Sequence, residues 1–273
     1  MNRTAQPLDA GALRAACVGP WNRLDVVERT GSTNADLMAA ALAGAPDRTV
    51  LVAEHQDAGR GRLARSWVSP PGSGLTVSVL FRPAGVSPSR FSWLPLLAGL
   101  AALDTVRAFT DAPAGLKWPN DLLVGSAERG GPRKVAGILA EVADPARPAV
   151  VVGIGLNVES APSDQPGATS LAAESDREID RAAVLVELLT RLSAREEQWR
   201  AGRGDPDATR LRADYRAGCL SLGSPVRVEL PGGTSVSGIA EDVDGDGRLL
   251  LLDAAGHRRA VAAGDVVHLR PAE

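Results

Sequence analysis

Arg60, Arg62 and Arg65 stand with Gly59 and Gly61 in the run Glu54-His-Gln-Asp-Ala-Gly-Arg-Gly-Arg-Leu-Ala-Arg-Ser-Trp67. Glycine lets a backbone approach a ligand and present its N–H groups, and guanidinium forks match carboxylate or phosphate oxygens in pairs. The run predicts an anion-binding loop, although its pattern alone also fits a solvated charged turn between two strands. No Gly-Lys-Ser/Thr follows, so it is not a Walker A loop. Lys117-Trp-Pro-Asn-Asp121 is a second candidate, in which Asn120 offers a donor and an acceptor to a heterocycle edge. Taken alone, that segment reads more readily as turn chemistry at a strand end. In Lys134-Val-Ala-Gly-Ile-Leu-Ala-Glu141 a lysine opens an apolar strand, where it can stabilise charge on a phosphoryl group or guard a sheet edge. Gly153-Ile-Gly-Leu-Asn157 lacks the third glycine of a dinucleotide fingerprint, because Val158 stands there. Its glycines suit close packing against a flat ligand or another strand.

Other chemistries are disfavoured. Asp242, Asp244, Asp246, Gly247 and Asp253 mimic the spacing of a calcium loop, but strand-like segments flank them and Asp replaces the final Glu. An acidic hairpin turn is expected instead. His55, His257 and His268 have no mutual ligand spacing, no G-x-S-x-G elbow occurs, and no metal-ligating residue is assigned. Thirty Lys and Arg against thirty-three Asp and Glu give a net charge of −3, which argues against a sequence-general nucleic-acid binder. Cys17 and Cys219 are far apart in the sequence and suit a reducing cytoplasm. The apolar run 94–103 is too short to span a bilayer and contains Pro95, and the N-terminus has no apolar leader core, so neither membrane insertion nor export is expected.

These residues need elements to hold them. The 273-residue length predicts a large and a small domain, expected at 1–220 and 221–273. Strands are predicted at 24–28, 49–54, 75–81, 115–118, 134–142 and 149–158, and helices after Ser32 as N-cap, over 89–109 with Pro95 in the first turns, and over 180–200. Five short strands separated by glycine turns follow Cys219 and predict a small β-barrel. The segment 125–134 reads as a hairpin tip. The fold class is therefore α+β: a mixed sheet with flanking helices plus a small C-terminal barrel.

In this order, GSTN at 31–34, AEHQDAGRGR at 53–62, Trp67, KWPND at 117–121, KVAGILAE at 134–141 and GIGLN at 153–157 closely resemble the biotin protein ligases. The resemblance spans residues 24 to about 200, and the C-terminal segment is similar to that family's SH3-like domain. It implies a class II synthetase-like catalytic fold that joins biotin to the α-phosphate of ATP with Mg²⁺, then passes biotin to a lysine of a biotin carboxyl carrier domain of a biotin-dependent carboxylase. It implies that Ser32, Thr33 and Gln56 bond the fused-ring head of biotin, that Gly59, Arg60, Gly137, Gly153 and Gly155 line its pocket, and that Arg62, Arg65, Trp67 and Asn120 meet the adenylate. Lys134 would bridge carboxylate and α-phosphate, and with Arg62 it is the expected catalytic pair; Asp121 would assist the metal indirectly. Ala64 departs from a glycine common in the family, which would stiffen the arginine loop. About thirty residues precede Gly31, too few for a winged helix-turn-helix, so specific DNA binding is not expected. Lipoate or octanoate transfer on the related fold is the alternative reading.

Overall fold

The structure is a computed structural model that describes residues 6–17, 20–62, 65–126, 128, 130–144, 147–262 and 264–268. Seven strands, β1 (Arg23–Thr30), β2 (Thr49–Gln56), β3 (Gly74–Phe81), β4 (Ala114–Lys117), β5 (Asp121–Val124), β6 (Arg133–Asp144) and β7 (Ala149–Asn157), form one mixed sheet. Their order is β1-β2-β3-β7-β6-β5-β4. Only β1 and β2 pair in parallel, as befits two strands joined through a helix; the rest are antiparallel.

That helix, α2 (Thr33–Leu42), starts at Ser32, whose hydroxyl accepts the Ala35 N–H. It packs on the face of β3, β6 and β7. The long helix α3 (Trp93–Phe109) and α4 (Arg181–Ala201) lie together on the other face. Their apolar stripes, with Leu97, Leu100 and Leu103 meeting Leu185, Leu188 and Leu192, bury into one core. The α4 N-cap is Asp180, as its position before an apolar run predicts. Helix α3 begins at Trp93, and the first two expected residues, Ser89 and Arg90, lie in a 3-10 turn (Pro88–Arg90) instead. Pro95 then falls in the first turn, where its missing N–H would have no helical partner.

Strand β3 alternates apolar and polar residues yet is buried on both faces. Leu75, Val77, Val79 and Phe81 enter the α3–α4 core, whereas Leu80 joins a small cluster under α2. Thr76 and Ser78 share that α2 side, so the alternation separates core from a polar interior rather than core from solvent.

Helices α1 (Ala10–Ala16) and α5 (Leu211–Gly218) and strand β5 were not expected. Each is short, and β5 is a four-residue segment directly behind the Pro-Asn turn, where periodicity has too few residues to register.

The C-terminal strands β8 (Pro225–Glu229), β9 (Ser235–Val243), β10 (Leu249–Leu252), β11 (Arg258–Val261) and β12 (Asp265–His268) form a separate antiparallel sheet, ordered β11-β10-β9-β8-β12. The acidic run is the β9–β10 hairpin turn: Asp244 accepts the N–H groups of Asp246 and Arg248 and pairs with the Arg248 guanidinium. The same turn docks the small sheet on the large one. Trp93 Nε1–H and Arg90 both donate to the Gly245 carbonyl at 2.8 Å, Ser92 donates to Asp246 O, and Trp118 Nε1–H donates to Gly247 O at 3.1 Å. Among the described residues no helix is long and apolar enough to cross a membrane.

Replacing Trp93 by Phe keeps a ring in the core but deletes the donor to Gly245. Chemical denaturation should show a loss of about 1–2 kcal/mol; an unchanged midpoint would contradict this anchoring.

Candidate active site

One cavity of about 660 Å³ opens where β2, β3, β6 and β7 meet the arginine loop, the β4–β5 turn and the small sheet. Ser32, Thr33, Gln56, Arg60, Arg62, Arg65, Trp67, Asn120, Lys134, Gly137, Gly153 and Gly155 all line it. Gly59 does not. It is packed behind the wall, where a Cβ would lie 2.3 Å from the Trp67 carbonyl oxygen and 2.9 Å from Gln56 Nε2. Ala64 lies outside the described residues.

One end of the cavity is a buried polar network. The Thr33 N–H donates to Gln56 Oε1 at 2.7 Å, and the Thr33 hydroxyl lies 3.0 Å from the same oxygen. Ser78 Oγ stands 2.7 Å from both Thr33 Oγ1 and Asn34 Oδ1, and the Asn34 amide donates to Glu141 Oε2 at 2.8 Å. Two hydroxyl protons thus serve three oxygen–oxygen contacts from Asn34 through Ser78 and Thr33 to Gln56. Both amides are fixed by their other bonds, so the chain is short of one donor. A ligand bearing N–H groups completes it, and a ligand carbonyl can take a hydroxyl proton in exchange.

The other end gathers cations. Lys134 Nζ sits 2.6 Å from Asp121 Oδ1 and 5.8 Å from the Trp67 ring centre. Arg62 donates to Asn120 Oδ1 at 3.2 Å, and its Nη1 lies 3.9 Å from Asp265 Oδ1. Arg65 pairs with the same Asp265 carboxylate, which β12 of the small sheet supplies. Burial lowers the pKa of the Arg62 guanidinium, and the carboxylates of Asp265 and Asp121 oppose that shift. Two internal carboxylates therefore hold three cations at the cavity wall.

Trp67 lies between these ends, across the backbone of β6 and β7. A Cβ on Gly155 would come within 2.2 Å of its indole, and one on Gly137 would meet it at 3.2 Å. At Gly153 the space is taken by the Asn34 amide, 2.2 Å from a Cβ. The close approach expected of these glycines is thus made here by side chains of the site. The described ends of the arginine loop pair with each other: Trp67 N–H donates to Gly59 O and Gly61 N–H to Arg65 O. Asn34, Ser78 and Asp265 were not singled out in the sequence. Of these, Ser78 was accessible from the β3 alternation, since it shares a face with Thr76.

Sequence models of the Biotin/lipoate A/B protein ligase family and of the Biotin protein ligase C terminal domain match residues 26–159 and 221–269. The Biotin--[acetyl-CoA-carboxylase] ligase of Mycobacterium tuberculosis is 50% identical, with 98% of each chain covered. The chain belongs to the biotin protein ligase family. Other biotin protein ligases agree in fold: that of Aquifex aeolicus, solved in complex with biotin and ATP, superposes with a TM-score of 0.75 at 28% identity, covering 92% of this chain and 100% of its own. A bifunctional ligase/repressor of Bacillus subtilis is 32% identical, covering 88% of this chain and 71% of its own length. The two sheets of this biotin protein ligase thus belong to a known architecture.

The glycine contacts yield a graded expectation. Gly153→Ala and Gly155→Ala each force a locked side chain aside and should destabilise the protein by about 1–3 kcal/mol, whereas Gly137→Ala, with 3.2 Å of room, should cost clearly less. Equal denaturation midpoints for the three variants would contradict this packing.

Proposed function

We propose that this ligase condenses biotin with ATP to biotinyl-5'-AMP and pyrophosphate, and then transfers the biotinyl group to one lysine of a biotin carboxyl carrier domain, within the cytoplasm. The observation that carries the reading is the single cavity with a donor-deficient polar network at one end and a held cluster of cations at the other. A cyclic urea supplies N–H donors and a carbonyl to the first end. A carboxylate and a triphosphate need the second. The names of the relatives point the same way and do not favour lipoate or octanoate as the substrate.

In the first step a biotin carboxylate oxygen attacks the α-phosphorus, and the bond to the bridging oxygen of pyrophosphate breaks. Both reactants are anions. Two unit negative charges about 4 Å apart repel by about 4 kcal/mol at an effective dielectric near 20, and one cation at similar distance offsets about as much. In this reading Lys134, at the head of β6, stands between the carboxylate and the α-phosphate, with Arg62 and Arg65 on the phosphate side. Thr33, Gln56 and Ser32 orient the head group, Gly137, Gly153 and Gly155 with Arg60 form its surroundings, and Trp67 and Asn120 meet the nucleotide. In the second step the carrier amine attacks the acyl carbon, the bond to AMP breaks, and the amine gives up a proton.

Mg²⁺ fits the site with Asp121. That carboxylate faces the cavity, and no cluster of three ligating side chains occurs among the described residues, so the ion would rest largely on phosphate oxygens, as Mg²⁺ commonly does. When bound it neutralises phosphate charge. We assign the ligase part to 1–220 and the SH3-like part to 221–273, with no specific DNA partner and no membrane partner.

Incubation of the purified protein with biotin and Mg-ATP should yield a retained biotinyl-5'-AMP detectable by mass spectrometry, and adding a carrier domain should label a single lysine. Absence of both products at stoichiometric enzyme would refute the reading. Lys134→Ala should slow adenylate formation by roughly 100–1,000-fold while biotin binding stays measurable by calorimetry; unchanged turnover would remove Lys134 from its role.

A further inference from the structure

Lys134 does not sit in a regular ladder. Leu122 faces Ala136 while Leu123 faces Lys134, so Val135 is an extra residue on β6 and the strand bulges there. The pairing of β6 with β7 begins only at Ala136. On its β7 side the Lys134 backbone pairs instead with the segment after β7: Lys134 N–H donates to Gly167 O at 2.8 Å, and Thr169 N–H donates to Lys134 O at 2.9 Å. Two hydrogen bonds to a loop segment are a weak hold for a side chain that must be placed within about half an ångström.

That segment is itself tied down by a carboxylate outside the cavity. Glu174 is fully buried, and its Oε1 accepts both the Thr169 hydroxyl at 2.7 Å and the Arg133 guanidinium at 2.6 Å. Arg133 immediately precedes Lys134. The result is a closed ring: from Arg133 along the chain to Lys134, across the bond from Thr169 N–H to Lys134 O, through the Thr169 hydroxyl to Glu174, and back to Arg133. Asn157 Nδ2 clamps the same segment by donating to Thr169 O at 3.0 Å. An ionised group bonded to two donors in a dry interior is stiffer than a neutral contact, and a buried carboxylate that loses its cation is strongly unfavourable.

We propose that Glu174 is a positioning residue for Lys134, fixing the bulged start of β6 from behind so that the ammonium group stays aimed at the reacting oxygens. This rests on the ligase reading above for its kinetic consequence. Glu174 touches neither the cavity nor the reactants, so its loss should act on the rate of the chemical step and leave the head-group pocket intact.

The test uses Glu174→Gln, Arg133→Met and the double variant in the full chain. Each single variant should destabilise the fold; the double variant, which has no unpaired buried charge, should recover most of that stability. Biotin-dependent exchange of pyrophosphate into ATP should fall by at least tenfold in kcat in Glu174→Gln and stay low in the double variant, with the Kd of biotin changed less than twofold. Carbon-13 NMR of the lysine ε-methylene groups in the ligand-free protein, which has only Lys117 and Lys134 to assign, should show the Lys134 signal broadened in the same two variants. Recovery of kcat together with stability in the double variant, or a Lys134 signal identical to wild type in both, would overturn the proposal. An inactive wild-type protein would count against the ligase reading, whereas the NMR comparison would still decide the role of Glu174.

Discussion

Two like-charged groups must be brought within bonding distance, and the structure is organised around offsetting that repulsion. On the proposed reading cations offset it, and cations gathered in one pocket repel one another as well and cannot stay in a dry interior without partners. Here Asp121 and Asp265 hold Lys134, Arg62 and Arg65 at the cavity wall. Both carboxylates lie at the cavity wall, so an entering phosphate can replace them without unfolding anything. One comes from the catalytic sheet and the other from the small sheet, which makes the C-terminal unit part of the charge balance and not an appendage. The docking of its acidic turn by Trp93, Arg90 and Trp118 gives that contribution a fixed address.

The backbone supplies the remaining constraints. Strand β3 carries core residues on one side and Thr76 and Ser78 on the other, so one strand serves both the α3–α4 core and the polar pocket. Gly137, Gly153 and Gly155 leave a floor free of side chains of their own on β6 and β7, and Trp67 and Asn34 lie against that floor. The bulge at Val135 turns Lys134 out of the ladder toward the cavity. Pocket, floor and cation therefore derive from three local departures from an ordinary sheet, all on neighbouring strands.

Much of this was legible in the chain. Long periodic segments such as 93–109 and 181–201 announced their helices, and the ordered motifs brought nearly every predicted site residue to one cavity. What escaped had physical causes. Strand β5 is too short for its period to register, and helices α1 and α5, of seven and eight residues, are too short for theirs. Gly59 sits in the right loop but is needed there to let the Trp67 carbonyl pass, a contact no spacing reveals. Asp265 and Glu174 are distant in sequence from the cations they hold, and long-range ion pairs leave no local pattern. The alternation in β3 was visible, yet its polar face looks like solvent exposure until α2 is seen to cover it.

The most direct test of the electrostatic account is a crystal structure with a non-hydrolysable analogue of biotinyl-5'-AMP. The account predicts that Lys134 Nζ and the Arg62 guanidinium lie within hydrogen-bond distance of the phosphate mimic, with the Lys134–Asp121 and Arg65–Asp265 pairs opened or shared. A mimic bound elsewhere in the cavity, with both internal pairs intact and the lysine unengaged, would contradict it.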